Sequence, residues 1–190
     1  MFRRIFPRDP GEHAASSLYE SIMLQSRRSE FYTDYSVPDS TEGRFELLLL
    51  HLCMVIRRLR QENSEEARTL SQALFDFFIY DMDQSLRESG IGDLSVGPRL
   101  KRVGEAFYGR VKAYEEALDE KQDSDRNNAL RGALLRNLYG TSAEVPPGAV
   151  LDAMTSYLYR LDAFLAEQET PYILKGEASF ITPDTAREKD

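Results

Sequence analysis

Apolar residues recur along this chain at intervals of three and four, and no segment alternates apolar with polar positions for long enough to make a strand. The pattern predicts an all-α fold, a single-domain bundle of about six helices with an extended C-terminal tail. The first helix follows Asp9-Pro10-Gly11-Glu12, where Asp9 can cap, Pro10 fits the first turn and Glu12 can complete a capping box; its stripe is Ala15, Leu18, Tyr19, Ile22 and Met23. The second follows SVPDSTEGRFELLLLH (residues 36–51). There Val37-Pro38 enforces an extended approach, Asp39 caps and Glu42 closes the box. The third starts after Asn63, buries Leu70, Leu74, Phe77, Phe78 and Met82, and ends near Gly90. A turn, GIGDLSVG (90–97), leads to Pro98 and a fourth helix, with a seam of Leu100, Val103, Phe107, Val111, Tyr114 and Leu118. The polar run EKQDSDRNN (120–128) precedes a fifth helix over Ala129–Tyr139, stopped by Gly140. Pro146-Pro147 opens a sixth, with Val150, Leu151, Met154, Leu158, Leu161 and Leu165 inward. The expected organisation is a basic arm over 1–8, a helical domain over 9–167 and a tail over 168–190 that lies along the bundle and frays at TAREKD.

The second helix carries more apolar surface than one stripe needs. Phe45, Leu48, Leu49, Leu52, Ile56 and Leu59 make a core face, and Leu47, Leu50 and Met54 lie on another side. A helix apolar nearly all round is either central in the bundle or exposes a patch that binds something hydrophobic.

Composition narrows the classes. With 190 residues, 42% of them hydrophobic and 29% charged, the chain can bury a full core. A net charge of −8 argues against a protein whose whole surface binds nucleic acid, and no DNA partner is expected. Basic clusters nevertheless recur at Arg3/Arg4/Arg8, Arg27/Arg28, Arg57/Arg58/Arg60 and Arg99/Lys101/Arg102. Segregated in this way, they suit RNA or an anionic membrane surface. Cys53 stands alone, so no internal disulfide can form, and it reads as a small buried hydrophobe in a reducing compartment. MFRRIFPRDP lacks a secretory apolar core, and the longest apolar stretch, Leu47–Ile56, is ten residues and contains His51. The expected location is cytoplasmic, with peripheral attachment at the inner membrane through the basic patches.

A search for chemistry nominates no catalytic residue, no metal ligands and no cofactor, so the chain is not expected to be an enzyme. Its two histidines, His13 and His51, fit neither the HExxH nor the ExxH spacing that brings ligands to one helix face. GIGDLSVG lacks the GK[ST] ending and preceding strand of a phosphate loop, and no Ser or Cys occupies a nucleophile motif. In DFFIYDMD, Asp76, Tyr80, Asp83 and Arg87 share a stripe with Asp81 at its edge, and Asp83 precedes Arg87 by the four residues that favour a helix ion pair. Two alternative readings stay open: a small-molecule pocket around Asp81, Arg87 and Asp93, and a haem carrier using His51 as axial ligand.

Three stretches taken together resemble the ubiquinol–cytochrome c chaperone family, bacterial relatives of a mitochondrial factor for assembling cytochrome b. They are FYTDYSVPDSTEGRFELLLLHLCMVIRRL (31–59), LFDFFIYDMDQSLRESGIGDLSVGPRLKRVGEAFYGRVKAYEEAL (74–118) and, more loosely, the helix before them. The most specific strings are VPD-x-x-x-GRF, DMD-x-x-LRE-x-G-x-GD and FYGR-x-x-x-Y. The resemblance implies a helical, non-enzymatic assembly chaperone whose client is newly made cytochrome b; the basic patches, read by their charge, offer attachment to the ribosome or the inner membrane. The resemblance carries over Arg44, Asp81, Arg87, Glu88, Gly92, Asp93, Arg110 and Tyr114. The receptor it suggests is the Leu-rich second helix, with Leu47, Leu50 and Met54 as candidate client contacts. The aromatics of the third helix (Phe75, Phe77, Phe78, Tyr80) and of the fourth (Phe107, Tyr108, Tyr114) complete it.

Overall fold

The computed structural model describes residues 10–142 and 144–184, and among them every regular element is a helix. In chain order these are α1 (Pro10–Ser26), α2 (Glu30–Thr33), α3 (Thr41–Glu62), α4 (Glu65–Glu88), α5 (Asp93–Asp119), α6 (Asp123–Asn137), α7 (Gly148–Glu167) and α8 (Thr170–Leu174). Six are long and two, α2 and α8, are single turns. The basic arm and the Asp9 cap lie outside the described residues, as does TAREKD.

α3 is the centre of the bundle: α1, α4, α5 and α7 all pack on it. Its middle is buried around the whole circumference. Leu47 and Leu50 are 0% exposed and Met54 is 1% exposed. The second apolar side of this helix is therefore core, and these three side chains are not available on the surface as client contacts. The physical reason is that α3 has neighbours on every side, so no face needed to stay polar.

The approach to α3 explains the VPD-x-x-x-GRF string. Val37 is buried, and its N–H donates to the Phe31 carbonyl at 3.0 Å. Ser40, not Asp39, is the cap; its hydroxyl accepts from the Gly43 N–H at 3.1 Å. With the cap one residue later, Glu42 falls out of register for a capping box. Asp39 instead accepts from Arg44 Nε at 2.7 Å. Gly43 packs so tightly against the incoming chain that a Cβ there would lie 2.0 Å from the Pro38 carbonyl oxygen.

The α3–α4 link is equally economical. Asn63 terminates α3 in the left-handed region (φ 51°) rather than starting α4, and Ser64 caps α4 by accepting from Ala67 N–H at 3.1 Å. α4 ends in a Schellman motif, with Gly90 at φ 78° and N–H bonds from Gly90 to Arg87 and from Ile91 to Leu86. α5 begins at Asp93, so the link from α4 is only the four residues 89–92 and Pro98 sits inside the helix. Proline there removes the bond to the Leu94 carbonyl, and water can take its place because Leu94 is exposed. α6 likewise starts earlier than its apolar pattern, at Asp123, where Asp123 and Asp125 favour the positive end of the helix dipole.

The C-terminal tail first forms α8, not the fully extended strap its sequence suggests, and then runs extended across the bundle. Ile173 is buried, and Phe180 and Ile181 pack against the core. The Gln168 side chain donates to the Ser179 carbonyl and accepts from the Ser179 N–H, both at 2.9 Å, and Gln25 donates to the Ile181 carbonyl at 2.8 Å.

Candidate functional site

The family-signature residues are brought into the bundle mostly as bracing. Arg110 reaches from α5 to α3, where its Nε donates to Glu46 Oε2 at 2.9 Å and a terminal nitrogen bonds the other carboxylate oxygen. That hydrogen bond is the main reason the guanidinium holds its proton more tightly than usual. Beneath it Tyr114 is buried, and burial pushes its hydroxyl pKa up. Arg87 bridges the α4–α5 turn, bonding Asp83 at 2.7 Å and Asp93 at 2.5 Å. The bond from Arg87 holds the Asp83 carboxyl below the usual carboxylate range. Glu88 and Asp93 face solvent. Asp81 accepts from the Tyr19 hydroxyl at 2.8 Å, tying α4 to α1, and partly buried Tyr80 lies beside it in sequence.

Asp81 and Arg87 are six residues apart, about 240° around an α-helix, so the proposed triad of Asp81, Arg87 and Asp93 does not converge on one pocket. His51 is fully buried. Its Nδ1 lies 2.8 Å from the Leu47 carbonyl, which can only accept, so Nδ1 carries the proton and Nε2 accepts from the Tyr157 hydroxyl at 2.8 Å. Gln25 donates to the same hydroxyl. Burial lowers the imidazole pKa to about 4. With both nitrogens occupied and no exposed edge, His51 is not open to a haem iron. Cys53 is buried too, and burial raises its thiol pKa.

An accessible cleft does exist where α3, α4 and α5 meet. Its volume is about 300 Å³, its floor is Ile56, Leu59, Ala67, Phe75 and Phe107, and its rim carries Arg60, Asn63, Arg68, Ser71, Gln72 and Tyr108. The aromatic wall is cohesive. Phe75 and Phe107 have ring centroids 4.8 Å apart, Tyr108 lies 5.3 Å from Phe75 and 5.1 Å from Phe107, and Phe78 backs the group at 6.1 Å from Phe107. Tyr108 leaves 53% of its surface exposed at the lip. Past Arg60 and Tyr108 the cleft opens into a shallower trough lined by Val111, Lys112, Glu115, Glu116 and Asp119. Of the residues nominated from the sequence, Phe107, Phe75 and Tyr108 meet here. Ile56, Leu59, Arg60 and Arg68 were missed as site residues, because only the crossing of three helices puts them together.

The sequence matches the family described as Ubiquinol-cytochrome C chaperone over residues 33–180. The human ubiquinol-cytochrome c reductase complex assembly factor 1 is 23% identical over 168 residues, which cover 88% of this chain and 54% of the human protein. Protein CBP3, mitochondrial, of Saccharomyces cerevisiae is 23% identical over 173 residues, 90% of this chain and 50% of the yeast protein. The chain thus spans about half the length of these relatives. A crystal structure of the Cbp3 homolog from Brucella abortus superposes with a TM-score of 0.77 at 32% identity, covering 91% of each chain. On the extent of the family match and the agreement of the fold, the chain belongs to the ubiquinol–cytochrome c chaperone family.

Proposed function

We propose that this protein is an assembly factor for ubiquinol–cytochrome c reductase and that its client is newly made cytochrome b, held by an apolar helix of the client in the α3–α4–α5 cleft. Family membership supports the assembly role. The single observation that carries the site is the Phe75–Phe107–Tyr108 wall. Phe107 is buried and Phe75 partly buried, and the wall reaches solvent at its mouth, where Tyr108 is half exposed. Aromatic anchors in a partly desolvated cleft are the features that concentrate binding energy at protein interfaces. An apolar helix seated in a hydrophobic groove is a recurrent mode of recognition. The chain acts as a holder rather than a catalyst in this reading. The basic segments add a second, anionic partner of peripheral kind, ribosomal or lipid.

The test is a photocrosslinker placed at Tyr108 and, as a control, at exposed Leu24 on α1, a helix that does not line the cleft. In cells, the Tyr108 probe is expected to capture cytochrome b and the Leu24 probe is not. Tyr108→Asp should reduce client recovery and reductase level with an unchanged helical CD spectrum. A deletion strain with normal cytochrome b and normal ubiquinol–cytochrome c reductase activity would overturn the assembly role. Capture of cytochrome b from Leu24 alone would overturn the site.

A further inference from the structure

Between α1 and α7, both of which pack on α3, runs a groove that the chain fills with its own tail. Gly176, at φ 90°, turns the chain off α8 and lies so close to α1 that a Cβ there would come within 2.7 Å of the Ala14 carbonyl oxygen. From there residues 177–184 run extended. On one side they follow α1 from Ala14 to Gln25, whose amide donates to the Ile181 carbonyl. On the other they follow α7 backward, from Gln168 beside Ser179 to Arg160, which pairs with Asp184 at 2.9 Å. The five extended steps from Gly176 to Ile181 cover roughly 17 Å, which matches the rise of α1 from Ala14 to Gln25. The His51 ring forms the floor beneath Phe180, their centroids 6.1 Å apart, and Pro183 is buried.

The groove addresses the backbone of what it holds. One amide, that of Gln168, gives Ser179 both an acceptor and a donor, the pair of bonds a neighbouring strand would supply, and Gln25, itself 5% exposed, takes the next carbonyl on that edge. Main-chain bonds of this kind give affinity to any extended segment, and pockets for particular side chains give selectivity. Here those are the aromatic ring at position 180, the partly buried aliphatic residue at 181 and the proline at 183, with Arg160 favouring an acid at 184. We propose that the α1–α7 groove is a peptide-binding site for an extended segment of a partner protein, one that carries an aromatic residue, an aliphatic one after it, and a proline and an acid three and four positions after the aromatic. The chain's own tail, seated on the site, defines that chemistry and holds the groove until the partner displaces it. A tail fastened at one end and making few buried contacts belongs to the least stable part of a fold. It acts at an effective concentration of about millimolar, so a partner held by a second contact elsewhere on the molecule competes on equal terms. The inference is independent of the client reading, because Gln25, His51, Tyr157, Arg160 and Gln168 all lie outside the α3–α4–α5 cleft.

The probe is a fluorescein-labelled peptide of residues 176–184, GEASFITPD, titrated by anisotropy against the full chain and against its Phe180→Ala variant, with CD to check the fold. Losing a half-buried ring should weaken the tail's hold about tenfold, so the variant is expected to bind the peptide about tenfold more tightly than the native chain. Within the peptide, alanine in place of phenylalanine, or a methyl group on the serine nitrogen that faces Gln168, should each cost about tenfold. These changes leave the protein untouched, and the peptide series is run on the native chain as well, so the outcome does not hang on the variant's fold. A peptide that keeps only the aromatic, aliphatic, proline and acid, with alanine elsewhere, should bind as tightly as the native sequence. No binding at millimolar peptide, or binding that ignores both the ring and the methyl group, overturns the site. Equal affinity for the native and Phe180→Ala chains overturns displacement of the tail, and failure of the alanine-filled peptide where the native one binds overturns the partner. Because no cytochrome b is present, each of these failures leaves the crosslinking test of the client cleft standing.

Discussion

Acid should destabilise this fold through one identifiable group. His51 is fully buried and neutral, with Nδ1–H donated to Leu47 and Nε2 accepting from Tyr157, while Gln25 donates to the Tyr157 oxygen. Protonating Nε2 turns two donors toward each other, because the Tyr157 hydrogen then has no acceptor in place. The folded pKa of about 4 lies below the unfolded value of 6.5. The sign follows from proton counting. Above pH 6.5 both states are neutral and the group is silent; below that the unfolded chain binds a proton the folded chain refuses, and stability falls until the folded pKa is reached. A gap of about 2.5 units, at about 1.4 kcal/mol each, removes about 3 kcal/mol between pH 6.5 and pH 4. For a chain of this size that lowers the melting temperature by about 6–12 °C. The assay is urea unfolding followed by far-UV CD at pH steps from 7 to 4, on the native protein and His51→Gln. Every other ionisable group is common to the two proteins, so the difference between them isolates position 51. The native protein should be the more stable at pH 7, since Gln loses the ring contacts to Phe31 and Phe180. Its advantage should shrink by about 3 kcal/mol at pH 4. An advantage that stays constant across that range would refute the reasoning.

Two glycines predict opposite outcomes for the same substitution. Gly43→Ala drives a methyl group into the Pro38 carbonyl oxygen, so overpacking of about 1–3 kcal/mol should exceed the roughly 1 kcal/mol gained in helix propensity. Gly104→Ala meets nothing within 4 Å inside α5 and should stabilise by about 1 kcal/mol. Thermal melts of both variants check the pair, and a stabilised Gly43→Ala would mean that the entry to α3 relaxes freely. Leu50→Asp should abolish folding rather than disable a surface, since position 50 has no exposed area. Retention of the helical CD spectrum in that variant would refute the central placement of α3.

The helices were legible because each buries a stripe whose period can be read locally, as in α5, where Phe107, Val111, Tyr114 and Leu118 are all buried. Boundaries were less so. Asp39 and Ser40 are adjacent residues that can both cap, and only the position of Pro38 against Gly43 puts Ser40 in register. Asn63 and Ser64 pose the same choice, and it is Asn63 that tolerates the left-handed turn. Periodicity could not decide the role of Leu47, Leu50 and Met54, because an all-round apolar helix looks the same whether neighbours or a client cover it. The Asp83–Arg87 pair was visible from its spacing of four. The Arg110–Glu46 pair spans 64 residues and depends on how α5 crosses α3, which no local pattern encodes. The aromatic wall lay between: its members were visible on two helices, but their meeting at one cleft was not.

The ion pairs of the bundle fall into two groups, and the division bears on how a client could enter. Arg57, Arg58 and Arg110 are largely buried, each bonded across helices, and removing any of them would strand a carboxylate or carbonyl at an interior seam. They fix the spacing of α3 against α5 and α7. The pairs beside the cleft are of another kind. Arg68 with Glu65 is exposed on both sides, and Arg60 with Glu115 is half exposed. Exposed pairs of this sort contribute about 0–1 kcal/mol each. An apolar helix approaching Tyr108 would therefore displace contacts that cost little to break, while the walls it packs against stay pinned by contacts that cost much more. On the proposed reading, the mouth of the cleft is the part that gives way to the client and its floor is the part that holds.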